Sequence, residues 1–126
     1  MLSEHSTELR VRYDECDPMG LVHHSNYLRY MEIARTELFR ASGGNYRDLE
    51  ASGLFVVVVR IECNYRQPAK YDDLLTIHVQ IDRVTEAKIE QSYRVERDGL
   101  SLLTAKITLA VINSAGRPQR IPESLR

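Results

Sequence analysis

The chain has no tryptophan and only two cysteines, Cys16 and Cys63. Their separation matches no metal-binding spacing and offers no disulfide framework, which fits a reducing, cytoplasmic setting. The opening residues, Met1-Leu2-Ser3-Glu4-His5, have neither the basic start nor the apolar stretch of a secretory signal. No apolar run approaches the ~20 residues needed to cross a bilayer, so no membrane partner is expected. The longest such run, Leu54 to Val59, reads as a buried strand at most. A surplus of one charge is missing too. With 17 basic and 18 acidic residues the net charge is −1, without the basic excess typical of a nucleic-acid-binding domain. What is present is a 126-residue chain, 43% hydrophobic. That length suits one domain, 1–126, burying roughly two-thirds of the surface its unfolded form exposes.

Two periodicities divide the chain. Leu9, Val11 and Tyr13 alternate with Arg10 and Arg12, as in a half-buried strand. Pro18 and Gly20 then mark a loop from Asp14 to His23. From Ser25 the spacing changes, and Tyr27, Tyr30, Met31, Ala34, Leu38 and Ala41 fall on one helical stripe. Ser25 or Asn26 is suited to cap its start, and Gly43-Gly44 to end it. After a turn-like segment, Asn45 to Gly53, the rest alternates as strands: Leu54–Arg66, Leu75–Asp82, Lys88–Val95 and Leu103–Val111. Asp98-Gly99 is a hairpin signal between the last two. A strand, one long helix and four more strands predict an α+β fold, an antiparallel sheet of about five strands around that helix. A sheet with one face left uncovered also predicts pairing with another subunit.

The loop before the helix is the most informative stretch. Asp17-Pro18-Met19-Gly20-Leu21-Val22-His23-His24 places a carboxylate one tight turn ahead of a helix start. Helix starts carry N–H groups with no partner inside the helix, and their dipole favours negative charge. Such amides can polarise a carbonyl while the acid serves as base or nucleophile, which is half of an acyl-transfer site. Gly20 is suited to a backbone shape that other residues resist.

The element order, the segment Y-D-E-C-D-P-M-G-L-V-H-H-S-N-Y-L-R-Y-M-E-I-A-R-T-E-L from Tyr13 to Leu38, and Tyr65-Arg66-Gln67-Pro68-Ala69-Lys70-Tyr71-Asp72-Asp73 resemble hotdog-fold acyl-CoA thioesterases of the 4-hydroxybenzoyl-CoA thioesterase branch. The resemblance implies hydrolysis of an acyl- or aroyl-CoA to free acid and CoA. By motif, Asp17 matches the catalytic carboxylate, and His24 the residue whose backbone N–H polarises the thioester carbonyl. It further implies a homodimer or homotetramer with sites at subunit boundaries, and phosphates held by surface Lys/Arg such as Arg66 and Lys70. Nothing in it implies a metal or other cofactor.

Plainer explanations compete at each position. Asp17 can simply cap a turn. His23 and His24 invite a metal reading, but adjacent side chains diverge and no third ligand sits nearby. Their imidazoles are expected either to line the substrate pocket or to accept a proton. Tyr27 belongs to the apolar stripe, with its hydroxyl able to reach a pocket mouth. Cys16 reads as a small buried thiol and Glu32 as a solvent- or interface-facing acid. Asp72-Asp73 reads as a turn, and Arg60, Arg117 and Arg120 as surface charges. Two rival activities share the fold. An enoyl-CoA hydratase would need D-x-N-P-x-H, whereas Asp17 is followed by P-M-G-L-V-H; a non-catalytic acyl-CoA-binding module would not need Asp17.

Overall fold

Alternation makes strands and the 3.6-residue stripe makes one long helix, because side chains repeat on one face at those periods. The computed structural model describes residues 1–126. In chain order the elements are β1 (Glu4–Arg10), α1 (Ser25–Ala41), α2 (Tyr46–Ala51), β2 (Leu54–Tyr65), β3 (Leu74–Val84), β4 (Ile89–Arg97), β5 (Leu100–Asn113) and β6 (Pro118–Gln119). Every strand pair is antiparallel. The order is β1-β3-β4-β5-β2, with the short β6 beside β5. The α1 helix packs against β1 and β3, giving the α+β hotdog arrangement of a sheet around a central helix.

The core lies between helix and sheet. Tyr30, Met31, Ala34 and Leu38 of α1 are fully buried with Leu75, Ile77, Val79, Val95, Leu103 and Ile107 from the strands. Each large apolar side chain taken from water contributes roughly 1.5–3 kcal/mol before entropy is counted. The stripe ends differently from its sequence expectation. Ala41 is exposed, and Phe39 is buried in its place. Phe39 lies so close to Gly44 that an added Cβ there would come within 2.2 Å of its ring. Gly43 takes the positive φ of +93° that closes the helix.

Four further expectations need correction. The first strand ends at Arg10, and Tyr13 is an exposed residue of a single 3₁₀ turn, Tyr13–Glu15. Alternation alone could not show that the chain leaves the sheet at Val11. The segment after α1 contains the helical turns of α2, capped by the Asn45 side chain on the Asp48 N–H at 2.9 Å. The apolar run Leu54–Val59 is not buried throughout. It forms part of edge strand β2, where Val59 is 53% exposed and Val58 and Ile61 are also open. The α1 N-cap is His24, with no side-chain cap of its own.

Candidate active site

Asp17 to Gly20 form a tight turn in which the Gly20 N–H donates to the Asp17 carbonyl at 2.9 Å. Pro18 suits the second position of such a turn, and Gly20 takes φ +78° at its end. The Asp17 side chain folds back on the same turn. Its Oδ1 accepts from the Met19 N–H at 2.8 Å and the Leu21 N–H at 3.2 Å. That is the turn-capping role of an aspartate, and it leaves Oδ2 without a partner in the chain.

The turn is fastened to the segment after β2. The Val22 N–H donates to the Ala69 carbonyl at 2.9 Å and the Tyr71 N–H to the Gly20 carbonyl at 3.1 Å. That segment is anchored in turn: Tyr27 Oη accepts the Ala69 N–H at 3.1 Å, and Asp73 binds Arg97 at 2.7 Å and the Lys70 N–H at 2.8 Å. Asp72, at φ +70°, and Asp73 thus serve the turn, as the plainer reading has it.

The helix start is prepared by Glu15, Asn26 and Tyr30, none of them a site residue expected from the sequence. The Glu15 carbonyl accepts both the His23 N–H at 2.9 Å and Asn26 Nδ2–H at 2.8 Å. The Glu15 carboxylate accepts the buried Tyr30 hydroxyl at 2.9 Å and the Arg12 N–H at 2.7 Å. Burial, then the Glu15 bond, pushes the Tyr30 hydroxyl far above its ordinary pKa, so it stays a donor. The available signal was a polar residue, Asn26, placed four before Tyr30 on an otherwise apolar face.

Capping also differs from the Ser25 or Asn26 assignment. The Ser25 N–H points at His23 Nδ1 at 3.3 Å, with Ser25 Oγ 2.8 Å from the same nitrogen. Asn26 is committed to Glu15. The Asn26 N–H donates to the His23 carbonyl and the Tyr27 N–H to the His24 carbonyl. Among these first amides, the His24 N–H alone has no hydrogen-bond partner in the chain.

A groove of about 380 Å³ with mixed polar and apolar walls opens here. It brings together Asp17, His23, His24, Tyr27 and Arg66, with Tyr65 and Pro68 on its far wall. Tyr65 stacks edge-on to Tyr27, ring centres 5.7 Å apart, and is a wall residue that the sequence reading did not assign. Gly20 and Lys70 are not part of the lining. Gly20 shapes the turn, and Lys70 sits in a bridge with Leu21 and is exposed next to the groove. Neither Arg66 nor Lys70 is engaged in an ion pair, whereas Arg60 is paired with Glu62 and Arg120 with Glu86. Burial, reinforced by Glu15, raises the Cys16 thiol, which makes it a poor nucleophile. Glu32 faces solvent near Arg35, away from the groove.

Comparison with known proteins agrees with this architecture. Residues 11–126 match the thioesterase-like superfamily. A probable thioesterase from Bartonella henselae superimposes with a TM-score of 0.90 at 37% identity, over 95% of this chain and 100% of that one. The acyl-CoA thioesterase YbgC of Haemophilus influenzae is 32% identical over 123 residues, 96% of this chain and 90% of that protein. A 4-hydroxybenzoyl-CoA thioesterase structure shares the fold, with a TM-score of 0.89 at 21% identity over 98% and 96% of the two chains. The chain belongs to the thioesterase-like superfamily.

Proposed function

We propose that this protein hydrolyses an acyl- or aroyl-CoA thioester, releasing the free acid and CoA. The observation that carries this reading is the unpartnered His24 N–H in the same groove as Asp17. A thioester carbonyl seated there accepts that N–H, which opposes the charge developing on oxygen. Asp17 presents Oδ2 while Oδ1 is held by two amides, so the carboxylate is aimed without needing a histidine. It delivers the nucleophile in one of two ways. Either Oδ2 attacks the carbonyl and water later cleaves the anhydride, or Oδ2 takes a proton from an attacking water; in both, the C–S bond breaks and CoA leaves as thiolate.

Tyr27, Tyr65, Val22 and Pro68 suit the acyl or aryl group, and the unpaired Arg66 and Lys70 suit the nucleotide phosphates. The groove lies at the end of β2, whose free edge exposes Val58, Val59 and Ile61. That apolar edge supports pairing with a second copy that would close the groove, as a homodimer or a dimer of dimers.

The test is a panel of acyl- and aroyl-CoAs with free thiol and enoyl loss followed together. Thiol release that falls roughly 10²–10⁴-fold in Asp17→Asn, with an unchanged melting curve, supports the reading. Enoyl loss without thiol would instead mark a hydratase, and binding with neither signal a sequestering module. Single turnover in ¹⁸O-water marks direct attack when label enters the Asp17 carboxyl, which happens where water opens the anhydride at the Asp17 carbon. Trapping the anhydride with hydroxylamine detects the same route when water attacks the acyl carbon instead.

A further inference from the structure

We propose that Ser6, His78 and Glu96 form a second, serine-based acyl-transfer site on the outer face of the sheet, acting on small activated esters. The three residues come from β1, β3 and β4. Ser6 lies opposite His78, and His78 opposite Arg94, two residues before Glu96 on the same face. Ser6 Oγ is 2.6 Å from His78 Nδ1, and His78 Nε2 is 2.8 Å from Glu96 Oε1. The carboxylate contact is not aligned as a straight hydrogen bond, so it acts on the ring chiefly as a charge. The connectivity is nucleophile, base and orienting acid, the set of roles that defines a triad wherever it occurs.

Strand register adds an amide. The Ile81 N–H donates to the Ser3 carbonyl and the Val11 N–H to the Asp73 carbonyl, with unbroken pairing between them. The odd-numbered residues of this stretch therefore turn their backbone groups toward β3. Ser6 turns its N–H to the open edge of β1, beside its own Oγ. Ser6 and His78 are consequently a non-hydrogen-bonded pair, the kind whose side chains approach most closely. A groove of about 610 Å³ runs past them, lined also by Gln80, Ser92 and Arg94.

In the step, Ser6 Oγ attacks the ester carbonyl and its proton passes to His78 Nδ1, with the imidazolium facing Glu96. The tetrahedral oxygen takes the edge N–H. The alkoxide or phenolate then leaves with the proton from His78, and water, activated by the same ring, frees the acid and restores Ser6. With one amide donor and open solvent, turnover is slow and favours good leaving groups such as aryl esters.

A polar cross-strand ladder would hold the same contacts without reacting, and labelling distinguishes the two. The full-length protein is incubated with a fluorophosphonate, which phosphonylates an activated serine and expels fluoride, and the adduct is located by tandem mass spectrometry. The expected result is one adduct at Ser6 on the wild-type chain, absent in Ser6→Ala and formed at least roughly tenfold more slowly in His78→Ala. A folded wild-type protein with no adduct at Ser6, or an equal rate in His78→Ala, overturns the proposal. Slow hydrolysis of p-nitrophenyl acetate should fall in parallel with the labelling.

Discussion

The loop–helix corner and the outer sheet face both collect polar groups, but they hold them by different means. At the corner the candidate working groups are largely main-chain, and side chains fix them: half-buried Glu15 with buried Asn26 and Tyr30 holds the helix start, and buried Tyr27 holds Ala69. On the outer face the polar groups are side chains meeting across strands, with His78 32% and Glu96 17% exposed. A main-chain donor survives replacement of its own side chain and is lost only when the backbone is altered. A cross-strand side-chain pair is lost with one atom and is weakened by solvent. The corner is accordingly the more preorganised of the two.

The sharpest way to break this contrast is at residue 24. His24 has φ −55°, which proline can adopt, and its N–H bonds to nothing in the chain. His24→Pro thus removes the proposed oxyanion donor at little structural cost and should lower kcat about 10²–10³-fold. His24→Ala keeps the amide and should cost far less; equal losses in the two variants would show that the imidazole is the working group. Next comes Tyr30→Phe, which strips the Glu15 carboxylate of a buried donor. It should cost about 1.5–3 kcal/mol in urea denaturation and reduce activity through a loosened helix start. Gly20→Ala, forced to keep φ +78°, should cost about 1 kcal/mol, read from the same denaturation curves.

The smallest effect belongs to the sheet face. Contact with His78 lowers the Glu96 carboxyl below its usual 4.5. A lowered folded-state pKa contributes stability above the unfolded value, and that contribution is lost as pH falls through the folded one. Glu96→Gln should therefore melt below the wild type at pH 6. The gap should close below about pH 4.5 and stay under about 1 kcal/mol throughout, as for a pair open to water.

The long helix, the succession of helix and strands along the chain and the Asp17 turn are legible because each follows from local spacing, whereas the order of strands in the sheet depends on distant pairing. Tyr27, Tyr30, Met31 and Leu38 announce a helix face, and D-P-M-G announces a turn. What stayed hidden depends on distant partners. Nothing near Glu15 in sequence shows that its carbonyl and carboxylate both serve α1, since the partners lie 11 and 15 residues on. The apolar run Leu54–Val59 looked like core because periodicity cannot tell a central strand from an edge strand. Ala41 continues the apolar spacing of the stripe, but Phe39 takes over the core contact against Gly44 before the helix reaches it. The assignment of a cap to Ser25 or Asn26 failed for a related reason: the nearest imidazole, His23, points at the Ser25 amide first.

The Asp17 turn and the Ala69–Tyr71 segment are joined by two main-chain hydrogen bonds. A nucleotide gripped by Arg66 and Lys70 would pull on the same strip of backbone that aims the carboxylate, so the handle of the substrate steadies the blade. A thioester clipped to its pantetheine end should then suffer in turnover as well as in affinity, because binding energy gathered far from the sulfur would no longer be spent on alignment.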